Sequence, residues 1–137
     1  MEFDEALRAA AGEQVARLAT IGAHGAPHVV PIVFAIDGLA IVTAIDGKPK
    51  RTRTPQRITN IERDPRVAVL FDRYDDDWRR LWWVRADGRA RVVDDIDEVE
   101  RVAGLLGKKY PQYAEVSIDG PAIVIAVERW SAWRADE

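Results

Sequence analysis

His28-Val29-Val30-Pro31-Ile32-Val33-Phe34-Ala35-Ile36 is a run of extended, apolar chain that stops at Asp37-Gly38 and returns as Leu39-Ala40-Ile41-Val42-Thr43. Asp-Gly between two apolar runs is a strong signal for a tight hairpin, because such turns need residues that tolerate positive φ. The first arm has apolar side chains on both faces, so it reads as a strand with little free surface. Upstream, Val15-Ala16-Arg17-Leu18-Ala19-Thr20-Ile21 reads as a strand, and Gly22-Ala23-His24-Gly25-Ala26-Pro27 as the turn that joins it to the hairpin. Downstream, Arg66 to Asp72 reads as a buried strand. Leu81 to Val93 is a long strand that Gly88 interrupts with a bend or bulge, and Ala122 to Val127 is a final strand.

Three helices fill the intervals. Phe3, Leu7, Ala10 and Ala11 share one face of a helix over residues 3–14. Thr54 is placed to cap a second helix with Pro55 at its first position, and Asp64-Pro65 ends it. Asp95 with Glu98 three residues on makes a capping box for a third. Its inner face is Ile96, Val99, Val102, Ala103 and Leu106, and Gly107 with Lys108-Lys109 closes it. Helices do not alternate with strands, which argues against a parallel nucleotide-binding sheet. The pattern predicts a mainly β chain of six strands, an antiparallel barrel with short helices, as one domain over residues 1–137.

Composition narrows the function. The 137 residues are 47% hydrophobic and 31% charged, ordinary for a globular domain. The longest apolar run, Val29 to Ile36, is far short of the roughly 20 residues a membrane helix needs. The acidic start Met1-Glu2-Phe3-Asp4-Glu5 lacks an apolar signal region, so a cytoplasmic protein is expected. The chain has no cysteine, which excludes disulfides, thiol catalysis and cysteine-ligated metal centres. A net charge of −3 argues against a general nucleic-acid binder.

Two regions carry candidate chemistry. Lys48, Lys50, Arg51, Arg53 and Arg57 form a basic window without an acid up to Ile61, beside the start of the second helix. Free N–H groups and the positive end of the dipole at a helix start suit a phosphate or carboxylate. On the long strand, Trp82, Val84, Ala86, Ala90 and Val92 share the face expected in the core. Leu81, Trp83, Arg85, Asp87, Arg89 and Arg91 take the other face, so Trp83 points off the core and requires cover by a ligand, a second subunit or another segment. Trp130 and Trp133 require cover too, which favours a dimer. His24 and His28 have helical metal-ligand spacing but sit among Gly25 and Pro27, so no metal is expected. Ser117 and Ser131 lie in no nucleophile elbow, and Asp72, Asp75, Asp76 and Asp77 lack the calcium-loop pattern and read as a solvated turn. With no evident acid, base or nucleophile, the chemistry is expected to come from a cofactor.

These residues together resemble a known superfamily. Leu18-Ala19-Thr20-Ile21-Gly22 and Gly25 to Phe34 are similar to the opening hairpin of the pyridoxamine 5′-phosphate oxidase-like split β-barrels. Thr43 with its basic loop, Asn60 to Leu70, and Val84-Arg85-Ala86-Asp87-Gly88 continue the likeness. Asp72 to Trp78 and Leu81 to Arg85 look most like the branch that uses coenzyme F420, a deazaflavin. Trp82-Trp83 stands where the oxidases carry an Arg-Gln pair, which weakens the case for FMN. The resemblance implies a six-stranded split barrel, a homodimer, and two cofactors in clefts between subunits. His28, Val30, Pro31, Ile32 and Val33 would line the ring and its ribityl chain, mainly through backbone. Thr43, Lys50 and Arg57 would hold the phosphate, with Lys48 and Arg51 near the anionic tail, Trp83 near the ring, and Arg85 orienting an anionic substrate. The implied activity is hydride transfer between reduced F420 and a small organic acceptor. The alternatives are an FMN-binding reductase or oxidase, or a non-catalytic carrier of deazaflavin or a heme metabolite.

Overall fold

A computed structural model describes residues 1–45 and 54–136. Three α-helices, α1 (Phe3–Ala11), α2 (Gln56–Arg63) and α3 (Ile96–Lys109), surround seven strands. The strands are β1 (Ala16–Ile21), β2 (Pro27–Ile32), β3 (Ala35–Asp37), β4 (Ala40–Ala44), β5 (Arg66–Arg73), β6 (Trp82–Val93) and β7 (Ala122–Arg134). They form one sheet in the order β2-β1-β5-β6-β7-β4-β3, and every pairing is antiparallel. Strands β2 and β3 occupy the two edges, yet only Val33 and Phe34 separate them along the chain. The chain therefore bends the sheet round on itself, as a split barrel. No helix among the described residues is long and apolar enough to cross a membrane.

The mainly β antiparallel expectation holds, with seven strands in place of six. The single strand expected over His28 to Ile36 breaks at Val33-Phe34, and side chains take over the backbone groups the ladder releases. The Thr43 hydroxyl donates to Val33 O at 2.7 Å. The Phe34 N–H donates to the Tyr110 hydroxyl at 3.1 Å, and that oxygen lies 2.8 Å from Gln14 O and 3.1 Å from Phe34 O. A break in a strand persists only when its polar groups find partners of this kind.

Strand β7 is the other revision, reaching Arg134 where the sequence predicts an end near Val127. The polar Glu128-Arg129 hides the continuation. A register shift between Asp87 and Gly88 lets β7 stay paired with β6 along its whole length. Gly88 is required there, because a Cβ would lie 2.2 Å from Ala126 O. The extension carries Trp130 inward, where it stacks on Phe71 at 6.3 Å and meets Phe3 edge-on. Its cover is thus the chain's own core.

Helix ends also shift. Pro55 precedes α2 as its cap residue, one position later than Thr54, and Pro has no side-chain oxygen to offer. Asp95 does cap α3, accepting from Glu98 N, but Ile96 is exposed while Val99, Val102 and Leu106 are buried. On α1 the buried residues are Ala6 and Ala10.

Two apolar layers result. Leu18, Phe34, Ile41, Val69, Phe71, Val84, Ala86 and Ile125 fill the barrel, closed by Ala6 and Ala10 of α1 and Ile58 and Ile61 of α2. On the opposite side of β4 and β7, Val42, Ala122 and Val124 pack under Val99, Val102 and Leu106 of α3. Helix α3 covers that part of the outer surface, centred on β4 and the first half of β7. Among the described residues, the outer surface of β2, β1, β5 and the first half of β6 has no such helix.

Candidate functional site

Strand alternation determines what that uncovered surface displays. The β1–β5–β6–β7 register puts Arg17 beside Leu70, Leu70 beside Arg85, and Arg85 beside Ser131. One step along, Asp72 faces Trp83 and Trp83 faces Trp133. On β1 and β2, Pro31 pairs with Arg17 and Val29 with Ala19. Val29 is 60% exposed, Trp133 43% and Leu70 39%, while Trp83 is half-buried. The face interleaves these apolar side chains with the ion pairs Arg17–Asp72 and Arg85–Asp87, each at 3.1 Å. Trp83 off the core is as the alternation predicts. The Arg85 guanidinium lies 5.9 Å from the Trp83 ring centroid and is engaged by Asp87.

The other candidates lie on the edge and inner side of the barrel. Strand β2 is an edge strand, and its edge position suits Pro31, which has no N–H for a ladder. His28 pairs across from buried Thr20 on the inner side, and its Nδ1 is buried without a hydrogen-bond partner among the described residues. Val30 is half-buried and Ile32 buried. Thr43 is buried and tied to Val33 O, so these two candidates do meet. Arg57 is half-buried in the first turn of α2. That helix is docked by Asn60, wholly buried, which donates to Thr20 Oγ1 at 2.9 Å and accepts from Gln56 at 2.8 Å and Arg63 at 3.2 Å. Lys48, Lys50 and Arg51 lie outside the described residues, as does Arg53.

With this geometry, comparison with known proteins is informative. Residues 3–134 match the family described as pyridoxamine 5′-phosphate oxidase. The chain belongs to that family. Over 60 residues it is 42% identical to a 5a,11a-dehydrotetracycline/5a,11a-dehydrooxytetracycline reductase of Streptomyces rimosus, a match covering 41% of this chain and 38% of that relative. Three solved structures share the fold. A conserved hypothetical protein, Rv2991 of Mycobacterium tuberculosis, has a TM-score of 0.80 at 24% identity, covering 98% of this chain and 86% of that one. An FAD-binding protein of Mesorhizobium loti has a TM-score of 0.71 at 21% identity over 96% and 94%. The heme storage protein HutZ of Vibrio cholerae has a TM-score of 0.73 at 16% identity over 96% and 93%.

Sequence reasoning passed over three features of this family member. The first is Lys109, whose Nζ is buried without a hydrogen-bond partner among the described residues and lies 3.5 Å from the Phe34 ring centroid. Burial brings its pKa down to about 8, against the opposing pull of Glu13. Lys109 was read only as a helix-ending charge, and its contact with Phe34 spans too much sequence for any local pattern. The second is Tyr110, buried at the strand break, with burial pushing its hydroxyl pKa up. The third is a cavity of about 400 Å³ lined by Gly12, Glu13, Gln14, Val15, Arg17, Asp72, Arg73 and Tyr74. The aspartates read as a solvated turn do cap locally: Asp75 accepts from Asp77 N, and Asp77 from Arg79 N.

Proposed function

We propose that this protein is an oxidoreductase of the deazaflavin type, passing a hydride between reduced coenzyme F420 and a small organic acceptor. It would act in the cytoplasm as a single-domain homodimer with a cofactor in each cleft between copies. The observation that carries this reading is the outer face holding Val29, Leu70, Trp83 and Trp133, which no helix or strand among the described residues covers. Family membership supports redox chemistry, and the Asp72 to Trp78 and Trp82-Trp83 stretches support deazaflavin over FMN. An exposed apolar band of this breadth marks a surface for a partner or ligand.

The residues fit such a cofactor. Edge strand β2 has one row of backbone groups outside the ladder, suited to the polar rim of a planar ring along Val30 to Val33. His28 Nδ1 is a further buried polar atom beside that strand. Arg57 in the first turn of α2 suits a phosphate, and the sequence offers Lys48, Lys50 and Arg51, outside the described residues, as further cations for it. When bound, a deazaflavin supplies the hydride. The chain holds, orients and keeps dry. The Thr43 hydroxyl donates a hydrogen bond to Val33 O and so fixes the segment that would line the ring. Trp83 offers an apolar wall on the face that a second copy would seal from water. Arg85, already engaged by Asp87, would act on a substrate through that pair.

The test is a parallel titration of the purified protein with F420 and FMN, read by tryptophan quenching. Saturable quenching by F420 at a Kd at least ten times lower than that for FMN is expected. Equal or tighter binding of FMN, with yellow protein on purification, would replace this reading by the flavin one, which the family match also favours.

A further inference from the structure

The cavity beside Tyr74 is assigned no role by the cofactor reading, and its wall has a definite chemical character. Arg17 pairs with Asp72 at 3.1 Å and Arg73 with Glu13 at 2.7 Å, so each cation in the wall has its own anion. An incoming charged ligand would have to break one of these pairs. The apolar contribution comes from Val15, 40% exposed, and Tyr74, 68% exposed, whose hydroxyl accepts from the indole N–H of Trp78, outside the wall itself, at 3.3 Å. The Tyr74 ring stays exposed for stacking. Its hairpin is held stiff by Asp77 capping Arg79 N and by the ion pairs Arg79–Asp77 and Arg80–Asp75. A volume near 400 Å³ is within the range of small-molecule sites.

Position adds the rest. Arg17 is the cross-strand partner of Pro31 on β2, and Asp72 is that of Trp83 on β6. The cavity thus opens between the strand expected to line the redox ring and the tryptophan expected near it. We propose that this cavity is the acceptor pocket, and that it takes an uncharged, flat, conjugated molecule stacked against Tyr74. This rests on the oxidoreductase reading for the word acceptor, but the binding preference stands on the cavity alone.

The experiment is equilibrium dialysis of the purified protein with two non-redox probes, 2-naphthol and naphthalene-2-sulfonate, so it needs no cofactor or turnover. The neutral probe should bind at least five times more tightly than the sulfonate. Tyr74→Ala should weaken naphthol binding at least threefold, whereas Tyr74→Phe, which keeps the ring, should change it by less than twofold. Asp72→Asn leaves Arg17 without its anion and should raise sulfonate affinity at least fivefold with little change for naphthol. Equal binding of both probes, or naphthol binding indifferent to Tyr74→Ala, overturns the proposal. These outcomes are independent of whether F420 binds, so failure here and failure of the cofactor reading are told apart.

Discussion

The two faces of β6 are made by alternate residues of one strand and have opposite fates. Val84 and Ala86 are wholly buried inside the barrel, where Phe71, Phe34 and Trp130 complete an aromatic core. Trp83 and Arg85, one residue away on each side of Val84, remain half-exposed beside Leu70 and Trp133. The inner face is satisfied by the chain itself. The outer face mixes large apolar side chains with the ion pairs Arg17–Asp72 and Arg85–Asp87, and among the described residues a helix covers it only where α3 lies over β4 and the first half of β7. The difference teaches where function is to be sought: stability resides inside, and recognition resides on the band that α3 leaves bare.

Substitutions on the two faces should therefore separate. The largest effect is expected from Phe71→Ala, which empties a fully buried ring site and should cost about 3–5 kcal/mol in denaturant unfolding. A loss under 1 kcal/mol would mean the inner face is not the stabilising one. Next comes Tyr110→Phe, which removes the oxygen that accepts from Phe34 N–H and leaves a buried donor unmet. It should cost about 1–3 kcal/mol, and an unchanged midpoint would show that the strand break needs no such pin.

Lys109 sharpens the comparison through pH. Its folded pKa of about 8 is below the ordinary 10.5, so between these values the unfolded chain binds more protons than the folded one. Stability should rise as pH increases through that window, and be lowest below about pH 8, where both states are charged. Lys109→Met should flatten this rise and stabilise the protein at pH 7. Urea midpoints between pH 7 and 10 measure it, and a wild-type midpoint that falls over that range contradicts it.

Much of the inner face was legible in the sequence, because burial imposes a period. The Asp37-Gly38 hairpin, the Gly88 bulge, the Asp95 cap and the outward Trp83 all follow from local pattern. The strand break at Val33-Phe34 was not, since it depends on Tyr110, 76 residues away. The internal cover of Trp130 is hidden for a related reason: its partner Phe71 and the length of β7 are set by pairing with β6, which Glu128-Arg129 conceals. For the site, residue types were readable but their company was not. Arg85 reads as a free cation until Asp87 is placed on it, and the pairs Arg17–Asp72 and Arg73–Glu13 in the wall beside Tyr74 join residues too far apart in sequence for any local pattern.

Leu70→Lys combined with Trp133→Lys, on the outer band, should leave the chain folded, since both side chains are partly exposed, and should act mainly on function. The decisive measurement is the F420 affinity of this double variant beside the wild type, with sedimentation run on the same samples. A folded monomer that binds F420 at least tenfold more weakly is the expected result. A variant that still pairs, or a monomer that binds as tightly as the wild type, would contradict the claim that the bare face is where two copies enclose the cofactor.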